Sequence, residues 1–278
     1  MKKDKWIDTE NTANEIEHRS KHLPSRAAAI HEEIRSEGQK ELNRDLLALF
    51  LSAIAAGLSI GVSLLVKSKL NISFAETDYR GLIESFGYTL GFVIIIMSRQ
   101  QLFTENTLTA VLPIMHRPTK NNFKMLGRLW GIVLIGNLVG TFIIAYLLNN
   151  LSVFPPVLKN AFHLISAELL EQSPTNMFVG GVISGWLIAT MVWMLPSSGS
   201  SKVFIIIMMT FIISAFGFPH IVVGSVETFY LIIEGVQPWS AFFYPFGIPT
   251  VVGNILGGTF IFSVLSHLQI RNDLKARQ

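Results

Sequence analysis

The feature that most limits this chain is a succession of long apolar runs, at roughly 46–66, 82–113, 125–148, 176–195, 202–232 and 247–268. Each is near or above the about 20 residues a helix needs to cross a hydrocarbon core, and lipid accepts a single spanning segment only when its backbone bonds internally. The expectation is an all-α integral membrane protein with six transmembrane helices. With 50% hydrophobic and 15% charged residues and a mean hydropathy of +0.46, the composition excludes an ordinary soluble domain. The first apolar run lies behind a charged region and lacks the short core and cleavage site of a signal peptide, so it is expected to stay as an anchor. Without cysteine there are no disulfides, thiol nucleophiles or Cys-ligated metals. No metal or cofactor is expected.

Charge placement predicts orientation. Of 22 Lys and Arg, nine precede the first run, four lie between run 2 and the first turn of run 3 (Arg117, Lys120, Lys124, Arg128), Lys202 stands at the start of run 5, and three follow run 6. The opposite loops hold only Lys67, Lys69, Arg80 and Lys159, which leaves Arg99 inside the membrane. Because cytoplasmic loops carry the basic excess, both termini are expected in the cytoplasm, and the basic clusters need no nucleic-acid partner.

An internal repeat divides the chain. GNLVGTF at 136–142 returns as GNILGGTF at 253–260, an offset of 117 residues (253 − 136). The interruptions around Thr104 and His220 are separated by 116 (220 − 104), and Gly57-xxx-Gly61 in run 1 is matched by Gly181-xxx-Gly185 in run 4. Two three-helix units result, 45–150 and 151–270, flanked by a cytoplasmic N-terminal tail at 1–44 and a C-terminal tail at 271–278. An odd number of crossings per unit inverts the second copy, and inverted repeats with broken helices, here 2 and 5, are a recurring plan for transport proteins. Residues 1–25 are polar; from Ser25, Ala28, Ala29, Ile30 and Ile34 among charges predict an amphipathic interfacial helix. The 149–175 loop, with Pro155-Pro156, predicts a short interfacial helix on the periplasmic side.

The polar run SRQQLFTENT at 98–107 interrupts run 2. Thr104 can cap a half-helix with Glu105 and Asn106 in its first turn, and Arg99 falls at the end of the preceding half. An arginine at the bilayer centre costs about 2.5–3.5 kcal/mol on insertion scales, so Arg99 must be shielded and partnered; pairing with Glu105 and a role toward the substrate are the two expectations. In run 5, Gly217 suits the left-handed residue after a helix and Pro219 the first turn of the next. His220 is the one histidine of seven in the core of an apolar segment, the others falling in flanks or loops, and Glu227 shares its face as a partner or a loop-facing charge. Two half-helix N-termini facing one region attract an anion, and His220 could pass it a proton so that it is neutral at the narrowest point. Asn137 and Asn254 could orient the histidine, bond the break loops or serve as glue between helices.

Together these residues resemble the formate/nitrite transporter family. Leu102-Phe103-Thr104 matches its first-break signature, Gly217-Phe218-Pro219-His220 its Gly-Phe-x-His, and Asn137 and Asn254 its two Gly-Asn pairs, over about residues 26 to 270. The resemblance implies an aquaporin-like fold, a homopentamer with one pore per protomer, the inner membrane of a bacterium, and passage of small monovalent anions such as formate or nitrite, or their acids. It implies a central site of Thr104, His220 and Asn254, a cytoplasmic constriction of Leu102, Phe103 and Val223, and a periplasmic one of Tyr88, Phe92 and Ile213. The chain departs from the family at Gln101, where an acidic residue is common, at Gly224-Ser225-Val226, and in the fourth helix, where Leu169 and Gly185 stand near the usual lysine and asparagine. It reads as a divergent branch.

The alternative reading, a water or neutral-solute channel of aquaporin type, requires paired Asn-Pro-Ala motifs, and the sequence has none. An intramembrane enzyme using His220 and Glu227 lacks a nucleophile motif. A purely structural protein leaves the paired interruptions unexplained.

Overall fold

In the computed structural model, residues 26–275 are described. The polar stretch 1–25 and residues 276–278 lie outside the described residues.

The chain is helical throughout. Helix α1 (Arg26–Leu42) carries charges on one face and buries Ala28, His31, Ile34 and Leu42 on the other. Five helices are long and apolar enough to cross a membrane: α2 (Leu46–Ser73), α3 (Arg80–Met97), α6 (Lys120–Asn150), α8 (Pro174–Met194 with the short turn after it), and a last span over Trp239–Ile270 that includes α12 (Ile248–Ile255). Side-chain caps fix where several of them begin, because the first N–H groups of a helix have no partner within it. Asp45 accepts from the Ala48 amide at 3.0 Å, Thr119 from Asn122 at 3.2 Å and Ser173 from Asn176 at 3.2 Å.

The two interrupted runs behave differently from each other. Run 5 splits into α9 (Lys202–Ala215) and α10 (Ile221–Ile233), each too short to span alone. Run 2 splits unequally, with α3 long enough to span and only α4 (Asn106–Thr109) and α5 (Val111–His116) after the break. Pro113 explains the weakness of that second half: it has no N–H for the Thr109 carbonyl, and the helix lapses at Ala110 between the two pieces.

Close helix contact holds this arrangement. A Cβ at Gly57 of α2 would stand 2.3 Å from the Asn137 carbonyl oxygen of α6, and one at Gly185 of α8 would stand 2.3 Å from that of Asn254 on α12. Only glycine allows backbones so near, which is how helices pack without a hydrophobic drive between them. The 149–175 segment is more than an interfacial helix. In it α7 (Pro156–Leu170) buries Phe162 and Ile165, and its Lys159 carbonyl accepts from the Tyr230 hydroxyl of α10 at 3.1 Å.

Candidate functional site

The two breaks are made by the same backbone turn. After α3 the Gln100 amide returns to the Ile95 carbonyl at 3.0 Å and the Arg99 amide to Ile96 at 3.2 Å; after α9 the Phe218 amide returns to Ile213 at 2.9 Å and Gly217 to Ser214 at 3.0 Å. Such a pair of bonds requires a left-handed residue past the helix end. Gly217 takes it at φ 62, and in the first break Arg99 takes it at φ 52.

Each loop is then held by an asparagine. Asn137 accepts from the Phe103 amide at 2.9 Å and donates to the carbonyls of Ala53 at 2.9 Å and Gln101 at 2.8 Å. Asn254 accepts from the Ile221 amide at 3.0 Å and donates to Gly181 at 2.8 Å, to the Ser184 hydroxyl at 3.0 Å and, more weakly, to the Pro219 carbonyl at 3.5 Å. Both side chains are fully buried and spend both ends of the amide on protein groups. Freed backbone in mid-membrane needs such partners, since lipid offers none.

The loops meet at one contact. Thr104 Oγ1 lies 2.8 Å from His220 Nε2, deep in the interior. His220 Nδ1 accepts from the Val223 amide at 3.4 Å, capping α10, so the proton sits on Nε2 and is donated to Thr104. Phe92 stands edge-on to the imidazole at 5.2 Å between ring centres, and Tyr88 packs against Phe92 at 5.4 Å.

Cavities open on either side of this contact. The larger, about 1060 Å³, has His220 at its floor and Val223, Glu227, Tyr88, Ile213 and Lys67 along its walls. The smaller, about 460 Å³, lies beneath α1 and is lined by Glu37, Glu41, Arg99, Gln101, Glu105 and Lys202. From Gln101 in the small cavity the chain passes through Leu102 and Phe103, which line neither, to Thr104 against His220. These buried residues separate the two spaces. The contact is thus a polar pair in an apolar partition between two cavities lined by charged and polar side chains.

The sequence matches the family model described as "Formate/nitrite transporter" over residues 28–268. The chain belongs to the formate/nitrite transporter family. It is 52% identical over 256 residues to the inner membrane protein YfdC of Escherichia coli (strain K12), covering 92% of this chain and 83% of that one. It is 27% identical over 247 residues to the formate channel FocA of Haemophilus influenzae, covering 77% and 84%. Among solved structures, a pentameric formate channel with formate bound superposes with a TM-score of 0.69 at 23% identity, over 80% of this chain and 96% of that one. An ion channel of the same family gives a TM-score of 0.75 at 17% identity, over 85% and 97%, so the fold is shared. This formate/nitrite transporter family member is a membrane transport protein and not an enzyme.

Several expected placements are corrected by the structure. Thr104 caps no helix: its hydroxyl goes to His220, and Glu105 occupies the position before α4 without a side-chain cap bond. Arg99 does not pair with Glu105. Its exposed side chain reaches Glu37 of α1 at 3.8 Å, because the left-handed turn swings it out into the small cavity. Val223 does not join Leu102 and Phe103 but lines the large cavity with Tyr88 and Ile213, since α10 starts at His220 and carries residue 223 away from the partition. Phe92 lies against His220 and lines neither cavity. Pro219 precedes α10 instead of opening it.

Residues that the sequence reading passed over also build the site. Ser52 accepts from the Gln101 amide at 3.1 Å and Ser184 donates to the Pro219 carbonyl at 2.5 Å. Ser184 lies inside Gly181-xxx-Gly185, where a hydroxyl beside close-packed glycines was the available signal. Glu41 of α1 accepts from Gln101 Nε2 at 2.9 Å, and Asn106 donates to Gln101 Oε1 at 3.0 Å, joining α1 to the first break. His31 of α1, outside the spanning helices, meets His267 at 3.0 Å; burial and that second imidazole draw its pKa down to about 4.

Proposed function

We propose that this protein conducts small monovalent anions of the formate and nitrite kind together with a proton, the permeant crossing the partition as its neutral weak acid. The observation that carries this reading is the Thr104–His220 contact closing an apolar partition between two cavities. A desolvated anion would be costly between Leu102, Phe103 and Phe92, whereas a neutral acid is not. His220 assists neutralisation as a hydrogen-bond donor, its Nε2–H held on the Thr104 hydroxyl so that the Thr104 O–H is left to meet the permeant at the narrowest point. Asn137 and Asn254 act by positioning the two loops. Val223, Tyr88 and Ile213 form the wall of the large cavity, and Leu102, Phe103 and Phe92 the dry barrier.

The same reading holds that the chain makes six crossings as two inverted three-helix units, 45–150 and 151–270. It places both termini in the cytoplasm and the chain in the inner membrane of a bacterium, as a homopentamer with one pore per protomer. In its support, Lys202 and the α1 charges share one end of the molecule, and relatives are named as inner membrane protein and as pentameric formate channel. The small cavity is then cytoplasmic and the large one faces outward. Membership of this family leaves nothing to favour a water channel.

The test is uptake of formate, nitrite, acetate, lactate and hydrosulfide, presented separately, by purified protein in liposomes holding a pH-sensitive dye between pH 5 and 8. Saturable flux accompanied by internal acidification is expected for at least one of them. His220→Ala is expected to lower it by about 100-fold, the scale of a lost positioned hydrogen-bond donor. Wild-type rate and pH dependence in that variant would remove His220 from the mechanism.

A further inference from the structure

The outward cavity has the wrong charge for collecting anions. Its carboxylates are Glu84, Glu168, Glu171 and Glu227, against Lys67 as the one cation among its lining residues. Lys67 lies 3.9 Å from Glu84, which also accepts from Asn71, so the lysine is already engaged. Glu227 is the exception within this group. It is only 7% exposed, its side chain lines the cavity, and among the described residues it has neither hydrogen bond nor ion pair; the charges that act on it are Lys67 and Glu168.

Its place on α10 gives that isolation a direction. His220, Val223, Gly224 and Glu227 all line the cavity, at spacings of three, four and seven residues, so they form one helical face running from the partition toward the outside. Gly224 lets its neighbours close on this helix: a Cβ there would lie 2.5 Å from the Phe246 ring and 2.9 Å from Leu169. The groups facing Glu227 are Lys67 from α2, Glu84 and Tyr88 from α3, Glu168 from α7 with Glu171 just past its end, and His220 at the start of its own helix. None of these donates to it.

A buried carboxyl with no donor is completed by a proton or by a cation. We infer that Glu227 is the outer proton-loading site for the permeant, a role that rests on the weak-acid reading above. In its protonated form it leaves the cavity with one negative charge fewer and holds a transferable O–H beside the path. An arriving anion takes that proton: the Glu227 O–H bond breaks, the acid O–H forms, the neutral acid moves on to Thr104 and His220, and Glu227 is reprotonated from outside water. Export runs the same step in reverse. One proton therefore crosses with each anion without any cationic vestibule.

The experiment compares wild type with Glu227→Gln and Glu227→Asp in liposomes, with formate as probe at external pH 7.5 and 5.5 and a dye reporting acidification. At pH 7.5, where formic acid is scarce, Glu227→Gln should lose at least about tenfold of the flux. At pH 5.5 the neutral acid is about a hundredfold more abundant, and the variant should come within about twofold of wild type. Glu227→Asp, which keeps the exchangeable proton, should retain the wild-type pH profile. An unchanged profile in Glu227→Gln would overturn the inference and leave the weak-acid reading standing, as would an equal loss at both pH values, the mark of a structural residue. Methylammonium uptake present in wild type and absent in Glu227→Gln would overturn it in favour of a cation site. No formate flux in folded wild type would overturn the weak-acid reading itself.

Discussion

In the first break Arg99 takes the left-handed turn at φ 52 and in the second Gly217 takes it at φ 62, and the bonds around them correspond with an offset of 118 residues (217 − 99). The next residues differ in an instructive way. The Gln101 amide donates to Ser52, but Pro219, at the corresponding position, has no N–H; there the serine, Ser184, instead donates to the proline carbonyl. A serine holds the loop in both breaks, through the amide in the first and through the carbonyl in the second. The segments beyond the two turns also differ. Past the second break a regular α10 of 13 residues forms a wall of the large cavity, whereas past the first the helix is cut by Pro113 and roofed by α1. The segment past the second break thus lines the large cavity, and the first break is tied to a covering helix through Glu41 and Gln101.

The asparagines offer the largest test of this correspondence. Asn137→Ala and Asn254→Ala each strand a buried N–H and backbone carbonyls, at about 1–3 kcal/mol per group, and should lower the unfolding temperature in detergent by similar amounts. If one substitution is tolerated and the other abolishes folding, the two breaks are not equivalent structural units.

Gly38 probes the roof that only the first break has. A Cβ there would fall 1.8 Å from the Thr109 carbonyl oxygen, the group left free by Pro113, so Gly38→Ala should lift α1 at a cost of about 2 kcal/mol. Tryptic cleavage at Lys40 should accelerate by at least about tenfold, while unfolding of the spanning helices stays unchanged. An unaltered cleavage rate would mean that α1 is not seated on Thr109.

The smallest effect belongs to the turn residues themselves. Arg99→Gly relieves a side chain of the left-handed conformation and should raise stability by about 0.5–1 kcal/mol, and Gly217→Ala should lower it by about 1 kcal/mol. Equal and opposite shifts in thermal unfolding would sharpen the comparison. Loss of stability in Arg99→Gly would show that the exposed contact with Glu37 outweighs the backbone strain.

Much of this was legible in the sequence because it depends on local chemistry. The apolar runs arise from the needs of backbone in lipid, the left-handed Gly217 from its missing Cβ, and the second loop of the site from the one histidine in the core of an apolar segment. Arg99 was misplaced for the same reason: nothing local reveals that an arginine will take a glycine's turn, so it was read as a charge inside the membrane and given Glu105 as partner. Val223 was misassigned by family analogy, because its side depends on where α10 begins, and that start is set by His220 capping its own helix.

By itself the sequence determined the helical membrane class, the two interruptions, the Gly-Asn pairs that hold them and the family. Periodicity, caps and motifs act over a few residues, and one chain is enough to read them. Only the tertiary structure decided that Thr104 meets His220, that Asn137 and Asn254 are spent on holding the loops, that α1 lines one cavity, and that Glu227 stands unpartnered in the other. Each of these joins groups more than thirty residues apart or depends on the absence of a neighbour. Neither leaves a trace in local order: a contact at |i−j| of 116 exists only once helices have packed.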